Sequence, residues 1–152
     1  MSEYLTTTFE KFELRVHKQF HYARDDLWVN VERGQAKVGM SDYLQKTSGD
    51  VAFIELTKAG STAERGKTLG TMESAKATVE LLSPISGRIE ETNDALVSRP
   101  ELVNSDPYGE GWLVTISPSN LEDDLQALLS ADDYYQLMLE KLKREHEKLG
   151  SR

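Results

Sequence analysis

Residues 67–82 read KTLGTMESAKATVELL, and this stretch gives the clearest indication of how the chain folds. Lys67 to Met72 and Thr78 to Leu82 are rich in apolar and β-branched residues, which is typical of β-strands. Between them lies the pentapeptide Glu73-Ser74-Ala75-Lys76-Ala77. The pattern predicts a hairpin that holds Lys76 at its tip, away from the body of the protein. Taken alone, a lysine in such a position is most often a solvated surface charge.

The strand-like pattern continues on both sides of this hairpin, from Leu27 to Ile116. Short runs rich in Val, Ile, Phe and Trp are separated by turn glycines, which is typical of a β-sandwich or barrel. Residues 41–48 interrupt the strands and are predicted to form a short helix. Besides the two arms around Lys76, the predicted strands are Trp28–Val31, Gln35–Val38, Val51–Leu56, Gly87–Glu91 and Gly111–Ile116.

The two ends of the chain have different patterns. Up to Tyr22, the apolar residues fit both helical and strand spacing, and the sequence does not decide between them. Near the other end, Ser119 to Glu122 has the spacing of a capping box and predicts the start of a helix. Ser130 to Asp133 predicts the cap of a second helix, whose charged end, Lys141 to Lys148, is expected to project into solvent. The apolar face of the first helix is predicted to consist of Leu121, Leu125, Leu128 and Leu129, and that of the second to include Tyr134, Leu137, Met138 and Leu142.

Length and composition limit the classes of protein to consider. At 152 residues the chain can form one ordinary domain, and its 38% hydrophobic and 29% charged residues are typical of globular proteins. A net charge of −8 argues against binding to nucleic acids or anionic membranes, because their phosphates would be repelled. No apolar run approaches the ~20 residues of a membrane-spanning helix, so a cytoplasmic protein is expected. Cysteine is absent, which excludes disulfides and thiolate chemistry by a side chain.

Two patterns that suggest other functions do not hold up. Gly60 to Thr68 resembles a phosphate-binding P-loop, but five residues separate its glycines where the loop requires four. A strand is also predicted from Thr68, where a P-loop would continue into a helix. The three histidines, His17, His21 and His146, lack the spacing of a metal site. No arrangement of nucleophile, base and acid is recognisable, so we expect a protein that is not an enzyme.

Two further motifs flank the predicted hairpin. Ser83-Pro84-Ile85-Ser86-Gly87 follows it, and Gly87 lies eleven residues beyond Lys76. The second motif, RPELVNSDPYGEGWL, spans residues 99–113. In it, Asp106-Pro107 is expected to open a turn, and Trp112 to begin a strand. This local explanation does not account for the occurrence of these motifs together in one chain.

Taken together, the motifs resemble the H-protein family, the lipoyl carriers of the glycine cleavage system and their relatives. Glu73 to Ala77 is similar to the family's Glu-Ser-x-Lys-Ala around its modified lysine, and Pro100 to Leu113 is similar to its second long motif. The resemblance covers roughly residues 22–135. It implies a mainly β fold, a flattened barrel or sandwich of the biotinyl/lipoyl hybrid type with C-terminal helices. It also implies three segments: an N-terminal extension (1–21), a lipoyl-carrier domain (22–135) and a charged helical tail (136–152).

The resemblance further implies a cofactor and a site. Lys76 would carry lipoate in amide linkage, added by a lipoate-protein ligase or a lipoyl/octanoyl transferase. The arm would supply the dithiol chemistry that a chain without cysteine lacks, and the protein itself would be a non-catalytic carrier. Biotin is the neighbouring alternative, but biotin carriers place methionine on both sides of the lysine, and here both neighbours are alanine. The residues implied around the attachment point are Glu73, Ser74, Ala75, Ala77 and Glu80.

One position departs from the family and bears on the cargo of the arm. H-proteins carry a His-Glu pair before a tryptophan, and the glutamate helps to hold the amine of an aminomethyl-lipoyl arm. Here the residues before Trp28 are Asp26 and Leu27. Leucine can neither accept a hydrogen bond nor balance a positive charge. Glu80 lies where the family keeps a second acidic residue, so one of the two acidic residues of the amine-holding cleft is present and the other is missing.

This departure favours a sister group of lipoate-binding proteins that act in bacterial sulfur oxidation. Such a carrier would transport sulfane sulfur, with a heterodisulfide-reductase-like complex and dihydrolipoamide dehydrogenase as partners. The first alternative is an H-protein of glycine cleavage, which carries aminomethyl groups between glycine decarboxylase and aminomethyltransferase. The second alternative is an unmodified structural or regulatory binding module.

Overall fold

The computed structural model describes the backbone of residues 3–150 and the side chains of residues 3–145. Over this range no helix is both long and apolar enough to cross a membrane. The strands are β1 Tyr4–Phe9, β2 Phe12–His17, β3 His21–Tyr22, β4 Leu27–Glu32, β5 Gln35–Met40, β6 Val51–Leu56, β7 Thr62–Ala63, β8 Thr68–Ser74, β9 Thr78–Leu82, β10 Gly87–Thr92 and β11 Val114–Pro118. The helices are α1 Asp42–Ser48, α2 Ala95–Ser98, α3 Leu102–Ser105, α4 Leu121–Ala127 and α5 Ala131–Gly150.

Two antiparallel sheets contribute side chains to one main hydrophobic core. The larger has the strand order β3-β4-β5-β11-β10-β7, and the smaller has the order β6-β8-β9. Val38 and Ile116 from the larger sheet and Leu69 and Met72 from the smaller are all fully buried in this core. The sheets do not close into a barrel. The predicted mainly β fold with C-terminal helices is confirmed, and of the two arrangements the sequence left open it is the sandwich.

Strand β4 divides its side chains between two cores because successive residues of a strand point to opposite faces. Leu27 and Val29 are buried in the main core, whereas Trp28 between them is buried in a second core. That second core lies under α5, where the rings of Tyr22 and Tyr134 stack with centroids 4.4 Å apart. Helix α5 therefore covers the outer face of the larger sheet near its β3 edge.

The N-terminal stretch is a β-hairpin, so the strand alternative is the correct one. β1 and β2 pair from Tyr4 with His17 to Phe9 with Phe12, across a two-residue turn. Leu14 and Val16 are buried in the second core, and the residues between and before them are exposed. The helical spacing in this stretch is coincidental, because burial follows the period of two that a strand requires.

The predicted hairpin around Lys76 is confirmed. β8 and β9 pair from Thr68 with Leu82 to Glu73 with Thr78, and one irregularity lies near Gly70. A Cβ at Gly70 would lie 2.0 Å from the carbonyl oxygen of Glu55 on β6, and its φ is +152°. Only glycine fits this conformation and close approach.

The strand predicted at Gly111–Ile116 begins three residues late, at Val114. Before it, the chain makes tight turns in which Gly111 N donates to Asp106 O and Trp112 N donates to Gly109 O. The carbonyl of Trp112 accepts a hydrogen bond from the side chain of Asn93 at 2.7 Å. Turn and side-chain hydrogen bonds thus satisfy the backbone groups that a strand would have paired in a ladder.

The capping box predicted at Ser119–Glu122 does not form. Helix α4 begins after Asn120 without a side-chain cap, and the four leucines assigned to its apolar face are only half-buried. Its buried residue is Asp124, whose carboxylate accepts a hydrogen bond from Ser86 N at 2.7 Å and lies 3.4 Å from the Arg65 guanidinium. A polar contact to the loop before β10 therefore holds this helix.

Helix α5 begins where the sequence predicts, with Asp133 N donating to Ser130 Oγ at 3.2 Å. Its predicted apolar face is mostly correct, since Tyr134, Met138 and Leu142 are buried and Leu137 is half-buried. The charged end of this helix was expected to project into solvent from residue 141 onward, and for Lys141 this prediction is wrong. Lys141 Nζ donates to Asp26 Oδ1 and to the carbonyl of Arg24, both at 2.8 Å. The side chains from residue 146 onward lie outside the described residues.

Candidate functional site

The loop that carries Lys76 is closed by its own serine. Ser74 N and Ser74 Oγ both donate to the carbonyl of Ala77, at 2.9 and 3.0 Å. In return, Ala77 N donates to Ser74 Oγ at 3.3 Å. This reciprocal pair holds the three-residue connection in one shape. The hydroxyl explains why the motif has serine two residues before the lysine.

Backbone hydrogen bonds also tie this loop to the end of α1. Ala75 N donates to the carbonyl of Asp50 at 2.9 Å, and Lys76 N donates to that of Ser48 at 3.3 Å. The Lys76 side chain remains exposed. The backbone of the lysine is therefore held in place while its amine is free to meet another protein.

Gly49 lies directly beneath the lysine. A Cβ placed on it would lie 3.6 Å from both Lys76 Cγ and Ala75 Cβ, which is ordinary van der Waals contact. Space alone would therefore admit a side chain, but the φ of +79° favours glycine. The turn after α1 needs this conformation to bring the carbonyls of Ser48 and Asp50 to the loop.

Asn104 connects the long motif of residues 99–113 to this turn. Its Nδ2 donates to the carbonyl of Gly49 at 3.1 Å and to Gln45 Oε1 at 3.0 Å. Its Oδ1 accepts from Val51 N at 2.9 Å. Two of the motifs that occur together in the sequence, the long motif and the lysine loop, are thus linked through the turn after α1. The long motif braces the turn, and the turn braces the lysine loop.

The same network extends from α1 to the N-terminal hairpin. Gln45 Nε2 donates to Asp42 Oδ1 at 2.6 Å, and Asp42 Oδ2 accepts from Arg15 N at 2.9 Å. Tyr108 completes it, accepting from Asp42 N at 3.2 Å and donating to the Arg15 carbonyl at 2.6 Å. Burial raises the pKa of the Tyr108 phenol well above its usual value, so the hydroxyl stays protonated and keeps this donor role.

We expect Asn104→Ala to lower the free energy of unfolding by about 2 kcal/mol, because three hydrogen bonds to partly buried groups are lost. Urea unfolding followed by far-UV circular dichroism measures the change. The neighbouring Ser105→Ala, at an exposed position, is the matched control and should stay within about 0.5 kcal/mol of the parent. Equal effects of the two substitutions would contradict the bracing role of Asn104.

A cavity of about 590 Å³ opens beside the lysine. Its walls come from the tip of the N-terminal hairpin, from α1 and the turn after it, from the lysine loop and from α3. Phe12, Lys46, Lys76 and Glu101 are among the lining residues. The volume lies within the roughly 300–1,000 Å³ that is usual for small-molecule sites. Of these residues, Phe12 and Lys46 had no signal in the sequence that pointed to the site.

The residues predicted around the attachment point fall into two groups. Ser74, Ala75 and Ala77 form the loop with Lys76, as described above. Glu73 and Glu80 are exposed on the arms of the hairpin, where Glu73 pairs with Thr78 and Glu80 with Thr71. The described residues that line the cavity include neither glutamate.

Leu27, where the chain departs from the family, lies in the core of this structure. Leu27 is 1% exposed, and its neighbour Asp26 adopts a φ of +78°. Asp26 is itself committed to structure, because its Oδ1 accepts from Tyr134 Oη at 2.7 Å and from Lys141 Nζ at 2.8 Å. Sequence spacing does not indicate these partners, because they lie more than a hundred residues away.

A second cavity, of about 440 Å³, borders the residues just before Leu27. Asp25 lines it together with Arg24 and Arg65. Burial raises the pKa of the Asp25 carboxyl above its usual value. Across residues 3–145, no group of three or more His, Cys, Asp or Glu side chains is arranged to hold a metal ion.

These features define a class of protein. An antiparallel β-sandwich that holds an exposed lysine on a hydrogen-bonded hairpin loop is suited to carry a prosthetic group on that lysine.

The comparisons with known proteins place the chain within this class. The family model for the glycine cleavage H-protein matches residues 20–141. The glycine cleavage system H protein of Carboxydothermus hydrogenoformans is 40% identical over 83% of this chain and 96% of its own. The probable glycine cleavage system H protein of Thermococcus kodakarensis is 42% identical over 80% of this chain and 91% of its own. The crystal structure of a glycine cleavage system H protein from Mycobacterium marinum superimposes with a TM-score of 0.72 at 31% identity, covering 78% of this chain and 95% of that one.

The chain belongs to the glycine cleavage H-protein family. Members of this family are non-catalytic carriers that hold lipoate covalently on a lysine, and this protein is a lipoate carrier of that type. The resemblance predicted from the motifs is therefore confirmed at the level of the family.

Proposed function

We propose that Lys76 is the lipoylated lysine and that the protein serves as the H-protein of a glycine cleavage system. In that role it passes an aminomethyl group from glycine decarboxylase to aminomethyltransferase, and dihydrolipoamide dehydrogenase reoxidises the arm. The observation that carries the proposal is the braced loop, in which backbone hydrogen bonds fix Lys76 while its side chain stays exposed. The relatives described above are all named for the glycine cleavage system, which supports this pathway.

The surroundings of Lys76 fit a covalently attached lipoyl group. Ala75 and Ala77 are small and exposed, so a lipoate-protein ligase or a lipoyl/octanoyl transferase can approach the amine from outside. The exposed Glu73 places a carboxylate on the adjoining arm, where a modifying enzyme can recognise it. Bound lipoate supplies the dithiol that this chain lacks, because the sequence contains no cysteine. Ser74 and the turn after α1 hold the attachment point still while the arm is loaded.

Leu27 supports a second candidate, a carrier of sulfane sulfur that works with a heterodisulfide-reductase-like complex. A leucine buried in the main core cannot hold an amine, whereas sulfane sulfur needs no such carboxylate. However, Glu80 keeps the second acidic position of the family. The relatives described above are all named for the glycine cleavage system, so we rank glycine cleavage first.

The direct test is reconstitution with purified partner enzymes. Lipoylated protein, mixed with glycine decarboxylase and aminomethyltransferase, is expected to support release of labelled carbon dioxide from carboxyl-labelled glycine. The unlipoylated protein is the negative control, and an H-protein from a known glycine cleavage system confirms that the enzymes are active. Release no greater than that of the unlipoylated control would contradict glycine cleavage and favour sulfur transport.

Substituting glutamate at Leu27 is a poor test of the pathway. The site is 1% exposed, so the carboxylate would be buried among Val29, Met40 and other apolar side chains. An unpaired buried charge destabilises a protein by several kcal/mol or shifts its pKa until it is neutral. A loss of activity in Leu27→Glu would therefore report unfolding as readily as cargo preference.

A further inference from the structure

The N-terminal hairpin lies outside the part of the chain that the family model matches. The family model begins at residue 20, whereas the hairpin is formed by β1 and β2, residues 4–17. It is fixed in place by side chains of the carrier domain. Asp42 accepts from Arg15 N at 2.9 Å, and Tyr135 Oη donates to the carbonyl of Thr6 at 2.8 Å. Its tip is therefore held at one position on the surface.

That position is beside the lysine. Phe12, the first residue of β2, lines the same cavity as Lys76 although it is 47% exposed. The ring is oriented by Lys46 of α1, whose Nζ lies 4.8 Å from the ring centroid in a cation–π contact. Packing in the second core does not require this ring, because Leu14 and Val16 supply the buried face of the strand. An exposed aromatic ring at a fixed place beside an attachment site calls for another explanation.

The Phe12 ring gives this cavity an aromatic wall that suits the arm, beside lining side chains that are mostly polar or charged. Lipoate attached through an amide removes the charge of Lys76, as other acylations of lysine do, so an uncharged, largely hydrocarbon arm then starts from the cavity wall. The arm ends in a five-membered ring with two sulfurs, and sulfur atoms make favourable contacts with aromatic rings at about 5 Å. A volume of about 590 Å³ accommodates such a group.

We propose that Phe12, positioned by Lys46, forms a resting site for the lipoyl arm, built by a hairpin outside the part of the chain that the family model matches. This rests on the proposed function, since it requires lipoate on Lys76. The site holds the oxidised ring between visits to partner enzymes and reduces its exposure to reductants in solution. Phe12 is a binding residue in this account and takes no part in the chemistry of the partner enzymes.

The test measures how fast a water-soluble phosphine opens the dithiolane ring, by loss of its near-ultraviolet absorbance under excess reductant. Full-length protein is lipoylated by a purified lipoate-protein ligase, and intact mass confirms one lipoyl group. Phe12→Ser is expected to raise the reduction rate about threefold, as expected for the loss of one sulfur–aromatic contact. Phe12→Tyr keeps an aromatic ring and should retain the rate of the parent.

Phe53→Ser is the matched control, because Phe53 is 51% exposed but lies on β6 and does not line this cavity. It should not change the reduction rate. Hydrogen exchange at Leu14 and Val16 shows whether the hairpin remains folded in the Phe12 variants. Amide resonances of Phe12 and Lys46 should also shift between the unmodified and lipoylated proteins. The proposal is overturned if the lipoyl group of Phe12→Ser is reduced at the same rate as that of the parent, or if these resonances do not shift.

The proposed function and the resting site can fail separately. If the protein is never lipoylated in cells, the proposed function is wrong, whereas the resting site is still measured on protein acylated in vitro. If cellular lipoylation occurs but Phe12→Ser behaves like the parent, the resting site alone is wrong.

Discussion

Replacing Lys76 with arginine is expected to abolish lipoylation completely while leaving the fold unchanged. Ligases acylate a primary amine, and the guanidinium of arginine remains protonated and is not a substitute for it. Lys76 is exposed, and its stem makes only an ordinary contact over Gly49, so the free energy of unfolding should change by less than about 0.5 kcal/mol. Intact mass after co-expression with a lipoate-protein ligase gives the result.

Lys67→Arg is the matched control, since Lys67 is an exposed lysine just before β8 and lies outside the loop. It should be modified like the parent. A lipoyl mass retained in Lys76→Arg would show that another lysine is the site. A parent protein that is never modified, with a competent ligase present, would support the unmodified binding module. That alternative also requires partner binding to be the same in Lys76→Ala as in the parent.

Trp28→Ala is expected to have the largest effect on stability, about 3–5 kcal/mol, because a fully buried aromatic side chain leaves a large cavity. The indole packs directly on Gly39, where a Cβ would lie only 2.3 Å from the ring. Its Nε1 donates to the carbonyl of Pro107 at 3.0 Å, and that acceptor would be left unpaired in a buried place. Urea unfolding followed by far-UV circular dichroism measures the loss.

The second tryptophan provides the comparison. Trp112 is half-buried at the edge of the second core, with Lys37 Nζ 5.3 Å from its ring. Trp112→Ala should therefore cost less, about 1–2 kcal/mol, in proportion to the smaller area it buries. Similar losses for the two variants would show that the second core around Trp28 does not stabilise the fold as described.

The lysine hairpin was predictable because it is a local structure. Strand patterning on both sides of Glu73–Ala77 determines the pairing of β8 and β9 without reference to the rest of the chain. The role of Asn104 was not predictable from spacing, since its partners on α1 and β6 are more than fifty residues away. The motif that contains Asn104 indicated that the segment matters for function, but it did not indicate that Asn104 holds the turn beneath the lysine loop.

Errors in the sequence predictions share a physical cause. The strand at Gly111 and the capping box at Ser119 were inferred from local spacing, but tertiary hydrogen bonds from Asn93 and to Asp124 decided those segments. Lys141 was assigned to a solvated tail on the basis of its charged neighbours, whereas Asp26 across the fold holds it. Polar side chains take the nearest partner in space, and sequence spacing does not reveal that partner.

The sequence by itself determined the class of fold, the hairpin and the lysine at its tip, because period-two patterning and turn residues act over a few neighbouring positions. Only the tertiary structure decided what surrounds that lysine. It buried Leu27 in the main core, and it placed Phe12 from the N-terminal hairpin beside Lys76, sixty-four residues away in the chain. Contacts between distant segments depend on how whole sheets and helices pack, and that packing is a property of the complete fold.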